Sequence, residues 1–197
     1  KCLSIPNTGM AVTMDLVDNI EDIHPKNKLD VGKRLALCAL NKTYHKSDVV
    51  FSGPLLKSFV SNTKNIILNF NHADGGLKMK ESSVTNFTIS AADRVFYPAK
   101  VRIEGDKLVV YSSKVKNPVA VRYAFTNTAE ATLFNGAGLP SPSFRTDNWD
   151  IITENISLKA TRNNENEGIS YQLSTTARES DIYYALNTNP GKTALKA

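Results

Sequence analysis

An aspartate and a histidine stand two residues apart in the run Asp22-Ile23-His24-Pro25-Lys26-Asn27-Lys28. An aspartate this close can orient an imidazole and stabilise its protonated form. The imidazole can then take the proton from a serine hydroxyl as it attacks an ester, and return it to the departing alkoxide. Taken alone the pair is weak evidence, because a loop histidine beside an aspartate is more commonly a surface hydrogen-bonded pair. Glu21 and Asp18 are further acids within reach along the chain. The nucleophile is the part this sequence does not offer. It contains no Gly-Asp-Ser, Gly-Gln-Ser or Gly-x-Ser-x-Gly pattern, and Ser4 and Ser52 sit in unsuitable contexts.

The elements around the run suit a catalytic loop. Residues 9–15, Gly-Met-Ala-Val-Thr-Met-Asp, are apolar and β-branched and predict a buried strand. A polar stretch containing Pro25 follows as a loop. A helix is expected from about Asp30, a good N-cap residue, to about His45. Val31, Leu35 and Cys38 recur at helical spacing, and Leu37, Leu40 and Tyr44 widen that face, so the helix is expected to be well buried. Loops between a strand and a helix are where α/β folds place reacting groups.

Beyond Gly53-Pro54 the character changes to short β-branched segments separated by turns. Strands are expected over residues 66–70, 95–103, 108–112, 119–125 and 131–134. Glu104-Gly105-Asp106-Lys107 reads as a hairpin turn between the second and third of these. Strands without helices indicate a β-sandwich or jelly-roll-like module. Residues 163–168 read as a loop, and 169–174 and 181–186 as two more strands. They open a further β module or form an appendage to the preceding one, since two strands alone are too few for a stable sheet.

Other residues carry less. His45 and His72 read as exposed structural histidines, and Gly75-Gly76 and Gly136-x-Gly138 as turn glycines without a phosphate-binding context. Trp149 and Tyr183-Tyr184 could stack on sugars, but packing is the more ordinary role for such aromatics. Cys2 and Cys38 lack metal-ligand spacing, and a buried free thiol is the expectation for Cys38. The formal charge of +5 comes from scattered Lys and Arg, so no nucleic-acid footprint is expected. No apolar run approaches the roughly 20 residues of a membrane span. Asn41, Asn86 and Asn155 head Asn-x-Ser/Thr sequons.

Asp-Ile-His-Pro, followed by Asn27-Lys28 and Val31-Gly32-x-Arg34-Leu35-Ala36, resembles the last catalytic block of the sialate O-acetylesterase family, a branch of the SGNH (GDSL-like) hydrolases. The resemblance extends in the family's order over about residues 7–150. It takes in Gly9-Met10-Ala11-Val12-Thr13, Ser52-Gly53-Pro54-Leu55, Ala92-Asp93, Phe96, Pro98-Ala99, Pro118, Val121-Arg122-Tyr123-Ala124, Gly138-Leu139-Pro140 and residues 142–149. Many short matches in order are more specific than any one motif. The resemblance implies an α/β end segment of an SGNH hydrolase (α/β/α) domain, residues 1–50. A mainly β, sandwich or jelly-roll-like domain would follow over 51–155, and a further β module or appendage over 156–197. The last resembles chitobiase C-terminal-like modules in the phrase Ser180-Asp181-Ile182-Tyr183-Tyr184-Ala185-Leu186-Asn187.

For function, the resemblance implies a serine esterase acting on O-acetylated sialic acid or another acetylated sugar, with His24 as general base and Asp22 as its orienting acid. Many SGNH enzymes place the acid three residues before the histidine, here Glu21, whereas in this family the recurring position is two before. The serine and the oxyanion hole are expected in an N-terminal part of the same protein, possibly as a companion chain. No cofactor or metal is implied, nucleic acid and membrane are not expected partners, and the expected setting is periplasmic, secreted or lysosomal. The rival reading is a non-catalytic carbohydrate-binding or structural β module in which Asp22 and His24 are incidental.

Overall fold

The computed structural model describes residues 3, 5, 8–19, 22, 24, 26–80 and 85–150, and the backbone of four short strands beyond them. The chain divides into two compact units, Lys1–Asn148 and Trp149–Ala197. Among the described residues the first holds one α-helix, α1 (Lys28–Lys42), and strands β1 (Leu55–Ser61), β2 (Ile66–Asn71), β3 (Leu77–Met79), β4 (Phe87–Ser90), β5 (Phe96–Pro98), β6 (Lys100–Glu104), β7 (Lys107–Tyr111), β8 (Ala120–Tyr123), β9 (Leu133–Asn135) and β10 (Phe144–Arg145). Among the described residues no helix is long and apolar enough to cross a membrane.

The β strands form two antiparallel four-stranded sheets, in the orders β1-β2-β7-β6 and β10-β8-β4-β5, with β3 and β9 as a separate pair. Alternation along the strands explains the packing. Ile66 and Leu68 of β2 and Leu108 and Val110 of β7 are fully buried, as are Ile89 of β4 and Val121 and Tyr123 of β8. Together with Phe87 they form one hydrophobic cluster drawn from both sheets. Burying a side chain of this size is worth about 1.5–3 kcal/mol, so this cluster is what holds the unit. Polar nodes complete it. Tyr123 Oη accepts the backbone N–H groups of Thr132 and Leu133 at 2.7 and 2.8 Å. Asn135, fully buried, donates to the carbonyls of Ser52 (2.9 Å) and His72 (3.1 Å) and accepts from the Leu139 N–H (2.9 Å).

Several expectations meet a different structure. Residues 9–15 form no strand. A strand exists only when its backbone groups pair with a neighbour, and here the Val12 carbonyl instead receives the Arg34 guanidinium and the Met10 carbonyl faces the Cys38 thiol at 3.8 Å. The helix starts two residues earlier than Asp30 and ends at Lys42, because Asn27 is the N-cap. Nor is α1 well buried. Cys38 is its one buried residue, while Leu29, Leu35 and Tyr44 just beyond it are 69%, 51% and 70% exposed. Among the described residues its covered side meets Gly9–Val12, Asp15, Val49 and Phe51. The single strand expected over 95–103 is two. Ala99 is buried and its N–H binds the Phe87 carbonyl at 2.9 Å, and there the chain leaves one sheet and enters the other.

Other expectations agree. The hairpin turn falls between β6 and β7, with Gly105 at φ +63° as a tight turn of this kind requires. Cys38 is a buried free thiol; Cys2 lies outside the described residues.

The second unit contains two antiparallel pairs, β11 (Ser157–Arg162) with β12 (Ile169–Ser174) and β13 (Tyr183–Tyr184) with β14 (Leu195–Lys196). β12 lies where a strand was expected, and β11 was not anticipated. The loop expected over 163–168, and most of 181–186, fall outside the described residues.

Candidate active site

The loop carrying Asp22 and His24 is tied to α1 at both of its ends. At its start, Asp15 receives both arms of the Arg34 guanidinium, at 2.7 and 2.6 Å. The two side chains are only 11% and 13% exposed, and forked pairs of this kind are the strong ones. A turn closed by the Leu16 N–H on the Thr13 carbonyl (3.0 Å) presents that aspartate. At the loop's other end, Asn27 caps the helix. Its Oδ1 accepts the Asp30 N–H at 3.1 Å while its Nδ2 donates to the Asp30 carboxylate at 2.7 Å. The Asn27 amide, with Lys33 behind it, holds the Asp30 carboxyl below the usual carboxylate range. Across the loop, Lys26 pairs with Asp18 at 3.2 Å, and that hydrogen bond lowers the Asp18 pKa as well.

Within this frame the structure brings Asp22 and His24 together. A turn sets Asp22, its N–H on the Asn19 carbonyl at 3.1 Å. The Asp22 Oδ1 then accepts the backbone N–H of His24 at 2.8 Å and stands 3.2 Å from the ring Nδ1. A carboxylate reaching the N–H two residues on is the ordinary aspartate turn. A spacing of two therefore lets one oxygen fix the backbone and the ring of the same residue. With Nδ1–H donating to Asp22, the lone pair resides on Nε2, the atom that must accept a proton from a nucleophile. The His24 side chain is 81% exposed and that of Asp22 44%. A hydrogen-bonded pair so open adds little to stability, and the His24 ring is open to meet another surface.

Asp18, committed to Lys26, does not reach His24 in this arrangement. Glu21, the alternative acid, lies outside the described residues. His45 and His72 are not part of the site. His45 follows the helix at φ +54°, and His72, at φ +58°, packs edge-on against Phe51 with ring centres 5.1 Å apart. A recess between α1 and the β body, lined by Val12, Arg34, Cys38, Phe51 and Pro140 among others, involves neither Asp22 nor His24. Sequence reasoning missed Asp15 as the partner of Arg34. A lone aspartate at the end of an apolar run and an arginine 19 positions later give no local signal.

No family model matches the chain. Curated relatives and a solved structure do. The sialate O-acetylesterases of Rattus norvegicus and Mus musculus are each 31% identical over 153 residues, covering 71% of this chain and 28% of theirs. The human sialate O-acetylesterase is 28% identical over 152 residues, 71% of this chain and 29% of its own. The crystal structure of a carbohydrate acetylesterase from Xanthomonas citri superposes with a TM-score of 0.69 at 40% identity, over 75% of this chain and 34% of that one. The chain is thus homologous to carbohydrate acetylesterases. Its curated homologues are sialate O-acetylesterases. It spans about 28% of the length of the curated relatives it matches.

Proposed function

We propose that this chain is the C-terminal portion of a serine esterase that hydrolyses O-acetyl esters of sialic acid or a related acetylated sugar. His24 is the general base and Asp22 its orienting acid. The observation that carries this reading is the pairing of His24 Nδ1 with Asp22 at 3.2 Å on an open loop, in a chain whose relatives are acetylesterases. The serine and the oxyanion donors belong to a preceding portion of the same protein, in one polypeptide or as a companion chain. The reading assigns residues 1–50 to the end of an SGNH hydrolase domain, 51–155 to a β-sandwich-like domain and 156–197 to a further β module. It places the protein in a periplasmic, secreted or lysosomal setting.

In the first half of the reaction, Nε2 of His24 takes the serine proton as the serine oxygen attacks the acetyl carbonyl. The imidazolium so formed is stabilised by Asp22 and gives its proton to the departing sugar oxygen. Water repeats the sequence on the acetyl-serine and releases acetate. Both halves need a neutral imidazole at the start.

Labelling with a fluorophosphonate probe followed by peptide mapping tests the division of labour. The expected label is on a serine of the preceding portion, with none on residues 1–197. A labelled serine within these 197 residues would refute it.

A further inference from the structure

The outward face of the β10-β8-β4-β5 sheet differs from an ordinary solvated sheet surface. Register places Pro98, Thr88, Arg122 and Arg145 in one row across its four strands, opposite in sense to the buried row of Phe87, Tyr123 and Phe144. Arg122 is fixed there. Its Nε and Nη2 are bonded to Asp147 at 2.9 and 3.0 Å, and its guanidinium lies 4.1 Å from the ring centre of Phe96 and 5.0 Å from that of Phe125. Phe125 reaches it because Ala124, at φ +47°, turns the chain back at the end of β8. The result is an open groove of about 680 Å³ whose walls include Asn86, Thr88, Lys100, Arg122, Phe125 and Thr126. Small-molecule sites have this size and this mix of aromatic surface with a few placed polar groups.

The groove also has a charge preference. Among the described residues its walls carry two cations, Lys100 and Arg122, and no Asp or Glu; Arg122 and, beside it, Arg145 are paired with Asp147, whose side chain is only 1% exposed, while the nearby Glu130 carboxylate is directed to Lys80 at 3.1 Å. Asn86 is anchored by its Nδ2 on the Glu130 carbonyl (2.8 Å), which leaves its Oδ1 as an acceptor in the wall. Nη1 of Arg122 is the guanidinium nitrogen not used on Asp147.

We propose that this face is a second glycan subsite, separate from the Asp22–His24 loop, that takes a carboxylate-bearing sugar. The sugar carboxylate meets Arg122 and Lys100, an apolar ring face lies against Phe125, and hydroxyls meet Asn86, Thr88 and Thr126. The subsite holds an acidic glycan chain on the protein and does no chemistry. It shares no residue with the loop, so it stands whether or not His24 is a general base.

Amide NMR of the 197-residue chain, titrated with free N-acetylneuraminic acid at millimolar concentrations, tests it. Saturable shifts are expected at Thr88, Lys100, Phe125 and Thr126. The methyl ester of the same sugar should bind roughly tenfold more weakly, since a charge-assisted bond is lost. Phe125→Ala and Lys100→Ala, both at exposed positions, should each weaken binding at least about fivefold while leaving remote amides in place. His24→Ala should bind as the wild type does. The proposal fails if no saturable shifts occur, if they fall outside the groove, if acid and ester bind equally, or if neither groove variant weakens binding. Loss of binding in His24→Ala would place the sugar on the loop instead, and would leave the serine-labelling result untouched.

Discussion

The Asp22–His24 loop and the buried polar nodes of the β body use the same kinds of hydrogen bond over opposite spans of sequence. Within the loop the pairings among the described residues are short-range: Asp22 with His24, Asn27 with Asp30 and Asp18 with Lys26 are two, three and eight residues apart. Its side chains stay open to solvent, His24 and Lys26 above the others. In the body, Asn135 reaches Ser52 and His72 across 83 and 63 positions, and Asp147 reaches Arg122 across 25. Asn135 and the Asp147 carboxylate are sealed from water. The difference separates roles. Losing a partner in the body strands a buried polar group and costs stability, whereas losing one in the loop alters chemistry and leaves the fold almost untouched. Asp15 with Arg34 sits between the two, a half-buried pair that fastens the reactive loop to α1.

The largest effect should come from the loop and be confined to activity. In the protein that includes the preceding portion, His24→Ala should lower kcat for acetyl-ester hydrolysis by at least about 10³-fold, with stability within about 0.5 kcal/mol of wild type. Asp22→Asn keeps the shape and removes the charge, and should lower kcat by about 10²-fold or more. A change in the urea midpoint as large as that of a core variant, in either case, would break the separation of roles.

The body should answer in the opposite currency. Leu68→Ala or Leu108→Ala, in the fully buried cluster, should cost about 2–5 kcal/mol by urea denaturation. Asn135→Ala strands a backbone N–H and two carbonyls and should cost about 2–4 kcal/mol, and Tyr123→Phe about 1–3 kcal/mol. Neither of these last two should alter the pH profile of hydrolysis.

Arg34→Ala sharpens the comparison because it touches both regions. It leaves the Asp15 carboxylate with little water and no fork, and should cost about 2–4 kcal/mol while also reducing kcat through a loosened loop. Restoration of kcat but not of stability by Arg34→Lys would show that positioning needs only a single bond to Asp15.

The smallest effect lies at the helix start. Asn27→Ala should cost about 1 kcal/mol. Because the Asp30 carboxyl is held below its ordinary range when folded, its stabilising share is complete at neutral pH and is lost as pH falls through that lowered value. The difference between wild type and Asn27→Ala should therefore shrink in acid, as followed by helical circular dichroism.

The same contrast of spans decides what could be read from the sequence. Local devices were legible: the hairpin at Gly105, the helix near Asp30 and the aspartate two before His24 all lie within a few residues of their partners. The three-residue spacing of Asn27 and Asp30 is equally local, but Asp30 alone drew the cap assignment. Long-range relations were not legible. Pattern alone makes residues 9–15 a strand, and only the positions of Arg34 and Cys38 show why it is not one. β1 and β4 passed unnoticed, since Lys57 and Ser58 interrupt one and Phe87 to Ser90 is too short for a period to show. The break at Ala99 depends on which sheet each half joins, and no local property of Pro98-Ala99 specifies that.

The most direct test of the central claim is the initial rate of acetate release from an O-acetylated sialic acid. It should be measured with wild-type and His24→Ala forms of the protein that includes the preceding portion, at matched folded concentration. A loss of about 10³-fold or more, with unchanged circular dichroism and urea midpoint, is the result the account predicts. Activity within about threefold of wild type would contradict it and leave Asp22 and His24 as an incidental surface pair.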